Sequence, residues 1–155
     1  MNPNKKIRRL QSLLYTSGRG TILFSLWSVI RGLGEIYNLF RKPIESGESG
    51  ISAGTLKTFS LFTVLILIIC ILSLYTYIGR RAIQTSLGRK TSNKYIVLAI
   101  IIIVFSASSY VPGLLTLTPS AWFNSDDIML TIIDVTSDVI LAEVVVFSVL
   151  LKKMR

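Results

Sequence analysis

The run from Ile128 to Leu151, IMLTIIDVTSDVILAEVVVFSVLL, constrains this chain more than any other stretch. About 20 apolar residues at 1.5 Å rise cover roughly 30 Å of hydrocarbon, so the run is long enough to cross a bilayer. It also holds three acids, Asp134, Asp138 and Glu143. An ionised carboxylate at the centre of a lipid-facing helix costs at least ~2.5–3.5 kcal/mol, so these side chains need shielding by protein or by a water-filled cavity. Such a helix requires neighbours, and the expected chain is a polytopic membrane protein with an acidic interior.

Composition agrees. The 155 residues are 51% hydrophobic with a mean hydropathy of +0.62, and three further long apolar segments precede the acidic one. Four helices of about 25 residues use nearly the whole length. The expectation is a single all-α, integral-membrane domain, a four-transmembrane-helix bundle with spans near 20–40, 56–78, 95–117 and 128–151. The net charge of +9 comes from cations just outside the apolar segments, where they set topology and meet anionic lipid headgroups; no nucleic-acid partner is expected. Histidine is absent and Cys70 is the lone cysteine, inside an apolar run. That leaves no zinc or copper constellation, no disulfide and no Cys-His or Ser-His pair, so no metal or other cofactor is expected.

Residues 1–19 space Lys5, Lys6, Arg8, Arg9 and Arg19 around Ile7, Leu10, Leu13, Leu14 and Tyr15. The spacing predicts a basic amphipathic leader lying on the cytoplasmic headgroups and retained in the mature chain. Residues 20–40 place Ser25, Ser28, Arg31, Gly32, Glu35 and Asn38 on one arc of a helix, which fits either a surface helix or a span with a polar stripe. Residues 56–78 form the most apolar segment, ending in Tyr75 and Tyr77. The following Gly79 to Lys94 has five cations and no acid, and reads as a cytoplasmic loop. The span 95–117 becomes rich in small residues in its second half, and Pro112 predicts a kink there. The connection Thr118 to Asp127 reads as external, anchored by Trp122 and Phe123.

If residues 20–40 cross, both termini are cytoplasmic, and all 17 Lys and Arg residues lie on that side except Arg31, Arg41, Lys42 and Lys57. The positive-inside rule favours that arrangement. The loop from Arg41 to Thr55 is then external.

On the last helix Asp127, Thr131, Asp134 and Asp138 follow an i, i+4, i+7, i+11 pattern, a polar stripe continued inward by Leu141, Val145 and Val149. Asp138 falls roughly 15 Å below the outer boundary and Arg31 roughly 16 Å above the inner one, so both sit near the midplane. The expected site is an outward-facing acidic cluster of Arg31, Glu35, Asp134 and Asp138, responsive to protons or cations. The plain alternative is an Arg31–Asp138 salt bridge that fixes helix register. Glu143 lies about 140° around the helix from Asp138, facing the second or third helix, a basic loop residue such as Lys152, or a neighbouring subunit. Arg80, Arg81, Arg89, Lys90 and Lys94 are the candidate contacts to anionic lipid.

Asp134 and Asp138 share the DxxxD spacing of half the CDP-alcohol phosphotransferase motif, but the DGxxAR half is missing, and neither a prenyltransferase acidic motif nor a GxGD is present. No enzyme is expected. The leading expectation is a small transport or channel-type protein of a bacterial-type plasma membrane, acting as a homo-oligomer or within a larger membrane complex. The alternative is a non-transporting partner, an accessory or regulatory subunit or an immunity protein, acting by helix–helix contact.

Overall fold

Four helices follow one another along the chain: α1 Pro3–Arg41, α2 Ala53–Ser86, α3 Lys94–Thr116 and α4 Ser125–Lys153. The computed structural model describes residues 3–41, 53–116 and 125–154, with side chains left out at 3–4, 35, 38–40, 53, 56–57, 109–116 and 125–130. No strand occurs among the described residues, and the fold is all-α with four helices. Trp122 and Phe123, expected on the external side, and most of the 41–55 loop fall outside them.

The chain divides into two compact units, Met1–Ile22 with Tyr77–Arg155, and Leu23–Thr76. Among the described residues, the first contains every buried apolar side chain, including Leu10, Leu14, Ile78, Ala82, Tyr95, Ala99, Leu141, Val144 and Leu151. This corrects the expected leader. Residues 3–19 are not a separate surface helix; they are the first turns of α1, and Leu10 and Leu14 enter the core while Leu13 and Tyr15 stay exposed. The apolar positions drew the 1–19 segment toward headgroups in the sequence, but burying Leu10 and Leu14 against other helices removes the same area from water.

Within this unit α1 and α2 cross at glycine. A Cβ on Gly79 would lie 2.6 Å from the Ile22 side chain and 2.7 Å from the Gly18 carbonyl oxygen, and one on Gly18 would sit 3.0 Å from Ile83. Two backbones approach this closely only where side chains are absent. The pairing of residue 18 with 79–83 and of 22 with 79 makes the helices antiparallel.

α2 also runs further than expected. The expected loop begins at Gly79, yet the helix continues through Arg80 and Arg81 to Ser86 and stops at Gly88, whose φ of 87° is left-handed. The amide of Gly88 donates to Thr85 O and that of Arg89 to Gln84 O, both at 3.1 Å, satisfying the last carbonyls as a Schellman ending. Asn93 then starts α3, its carbonyl accepting from the Ile96 amide. α3 continues past Pro112 to Thr116.

α4 packs most extensively on α3. Asp134, Asp138, Leu141, Val145, Ser148 and Lys152, alternating steps of four and three, are all buried or half-buried. Val149, expected to continue this face, is exposed, and Ser148 takes its place. A 4-3 rhythm averages 3.5 residues and keeps facing a partner that winds left-handedly around it.

In the second unit, Gly32 of α1 faces α2, where a Cβ would run into the Ile68 side chain. The remainder of this unit exposes Leu26, Ile30, Phe59, Phe62 and Ile66. Among the described residues one stretch, Thr58–Ser86 on α2, is long and apolar enough to cross a membrane, and only 6% of its most apolar window is buried. Lys94–Ser108 is a shorter apolar stretch. α4 is interrupted by its acids, Asp134, Asp138 and Glu143 among them, and α1 by its cations, which is why length alone does not give them the same character.

Candidate functional site

Two polar clusters stand out, both in the first unit. One belongs to α4 and its approach to α1. Asp138 is 6% exposed, and Asp134, one turn earlier, is half-buried. Glu143 lies on a different face and is largely exposed, yet its carboxylate is held: Ser17 Oγ donates to Glu143 Oε2 at 2.7 Å. Ser17 is itself buried, and its carbonyl accepts from Thr21 Oγ1 at 2.9 Å. Gly20 supports the same α1–α4 approach, since a Cβ there would touch Ile140 at 3.4 Å. The expected partners of Glu143 are the second or third helix, a basic loop residue such as Lys152 or a neighbouring subunit; the hydroxyl that holds it belongs to α1 instead.

Sequence reasoning missed Ser17 and Thr21. Their signal is the step Leu10, Leu14, Ser17, Thr21, spaced four, three and four, which runs across the boundary that the cations suggested at residue 19. Arg31 is exposed on α1, and it and Glu35 belong to the Leu23–Thr76 unit, whereas Asp134, Asp138 and Glu143 belong to the other; the Glu35 side chain lies outside the described residues. Ser148, fully buried on the α4 seam, has no hydrogen-bond partner for its hydroxyl among the described residues.

The second cluster closes the opposite end of α4. Lys152 Nζ donates to Asn93 Oδ1 at 2.6 Å and to the Thr91 carbonyl at 3.3 Å, and lies 5.2 Å from the centroid of the Tyr95 ring. Tyr95 is completely buried, with its hydroxyl 3.0 Å from Thr85 Oγ1, which also meets the Thr91 hydroxyl. Burial lowers the Lys152 ammonium below its ordinary value. The residues that set this cluster (Thr85, Thr91, Asn93, Tyr95) are neutral, so neither charge nor periodicity marks them in the sequence.

Around it stand the expected lipid contacts. Arg80, Arg89, Lys90 and Lys94 are exposed. Arg81 is half-buried, its guanidinium donating to Gln84 Oε1 at 3.1 Å and lying 5.4 Å from the Tyr77 ring centroid. Among the described residues no group of three or more His, Cys, Asp or Glu could hold a metal ion. No family model, curated protein or solved structure matches the chain.

Proposed function

We propose that the chain is a small integral-membrane protein of transport or channel type, in which Asp134 and Asp138 on α4 form a proton- or cation-responsive site. The observation that supports this most is the burial of Asp138 on a helix otherwise built of apolar residues. A carboxylate so placed is costly unless it is neutralised, either by taking up a proton or by meeting a cation, and that exchange is what a transport site uses. Asp134, one turn away and half-buried, supplies a second carboxylate through which the first communicates with a more polar environment. A single bundle of this size is too small to enclose a wide path, so transport implies several copies or a larger partner.

Reconstitution into liposomes loaded with pH- and ion-sensitive dyes tests the reading. The expected result is a flux that Asp138→Asn abolishes while the variant still inserts and unfolds cooperatively. Absence of flux for protons and for monovalent and divalent cations sinks it. The rival, a non-transporting membrane partner, is then favoured if the protein co-purifies stably with another membrane protein. The exposure of Glu143, a carboxylate held in place by Ser17 on an outward surface, is the observation on its side.

A further inference from the structure

Contacts within the first unit bring four chain segments to one end of it. α1 and α2 are antiparallel through Gly18 and Gly79, α1 and α4 are antiparallel through Ser17–Glu143 and Gly20–Ile140, and the end of α4 joins the start of α3 through Lys152. The first turns of α1, the last turn of α2, the 87–93 connection and the end of α4 therefore share that end. Every charged side chain described on it is a cation except Glu143, whose bond to Ser17 sets it level with Gly79 and Arg80 at the inner edge of that end. The first acid of the chain is Glu35, none occurs between Gly79 and Ser125, and Glu143 is nine residues, about 14 Å, from Lys152 along α4.

We propose that this end is a docking surface for the anionic headgroups of a bilayer, and that Lys152 is a positioning residue that holds the 87–93 connection in shape rather than a headgroup contact. The charge complementarity is carried by Arg80, Arg89, Lys90 and Lys94, all exposed, with Lys5 and Arg9 from α1 beside the same end. Leu87, the first residue after α2, is 65% exposed between these cations, an apolar side chain suited to the headgroup boundary. The connection that presents them is fixed at three points: Gly88 closes α2, Thr91 bonds Thr85, and Lys152 bonds Asn93 and the Thr91 carbonyl. A pinned array loses less freedom when it meets a charged surface, so breaking the pin at its neutral acceptor, Asn93, weakens binding while every cation stays in place.

The inference uses only the membrane part of the proposed function and stands whether or not the protein carries ions. The test measures the unfolding midpoint of the full chain in neutral-detergent micelles doped with phosphatidylglycerol or, at equal mole fraction, phosphatidylcholine. Phosphatidylglycerol should raise the midpoint and phosphatidylcholine should not. Each surface cation strengthens association about fivefold at low salt, so R80Q/R89Q/K90Q/K94Q should lose on the order of a hundredfold or more in apparent affinity. Asn93→Ala, which breaks the Lys152 bond and leaves the charge unchanged, should keep cooperative unfolding and show a reduced response. Equal responses to both lipids, or a gain reproduced by inorganic phosphate alone, overturns the docking surface. An Asn93→Ala response equal to the parent's overturns the positioning role. If the fourfold variant does not fold, the parent's response in rising salt decides, because headgroup contacts are screened and an uncharged origin is not. A chain that stays in solution without detergent overturns the membrane reading separately, and sedimentation with phosphatidylglycerol vesicles then still reads the surface.

Discussion

At Gly79 and Gly34 the same substitution has opposite expected signs. A methyl at Gly79 meets the Ile22 side chain and the Gly18 carbonyl oxygen, and backbone cannot move aside cheaply, so Gly79→Ala should destabilise by about 1–3 kcal/mol. At Gly34 nothing lies within 4 Å, and Gly34→Ala in a helix interior should stabilise by about 0.5–1 kcal/mol. Reversible unfolding in micelles reads both, and a destabilised Gly34→Ala would contradict the open space around it. Lys152 makes a prediction in pH. Its folded value is lowered by burial, so between that value and the ordinary one near 10.4 the unfolded chain holds a proton that the folded chain has released. Stability should therefore rise with pH through that alkaline window, and Lys152→Met should flatten the rise. The sequence made Asp138 legible, because a charge inside an apolar run must face protein. It hid Ser17, Thr85 and Asn93, whose importance depends on which helix end lies opposite them and not on their own chemistry.

Helix number was legible and helix length was not. Four apolar periods gave four helices, but the ends were placed at charges, and charges do not stop a helix. Arg80 and Arg81 continue α2, and the chain leaves it only where Gly88 supplies a left-handed φ. Likewise Arg19 and Gly20 interrupt nothing in α1, which runs unbroken from Pro3 to Arg41. The consequence for α1 is testable by truncation. Removing residues 1–9 takes away exposed cations and the half-buried Ile7, and should leave the unfolding midpoint nearly unchanged in neutral detergent. Removing residues 1–16 also strips Leu10 and Leu14 from the core, and each buried leucine lost is worth about 2–5 kcal/mol. A surface leader would give a small effect for both deletions; a packed first turn gives a small one and then a large one.

For the whole molecule the decisive contrast is between exposure to solvent and exposure to lipid. α2 leaves Phe59, Phe62, Ile66 and Ile69 uncovered, a continuous apolar surface that water would penalise heavily and hydrocarbon would not. Cys70 lies on this helix and is exposed, twelve residues beyond Thr58 or about 18 Å along the axis, near the middle of the stretch that is long and apolar enough to cross a membrane. In sealed vesicles it should therefore resist a charged maleimide from either side and react only after the membrane is dissolved and the protein unfolded. Leu87→Cys, made in a Cys70→Ser background, tests the other half of the argument. It should react in inverted vesicles, where the cationic end faces the bulk, and stay silent in right-side-out ones. Labelling of Cys70 in intact membranes would mean that the exposed face of α2 meets water, and the membrane-crossing role of that helix would have to be given up.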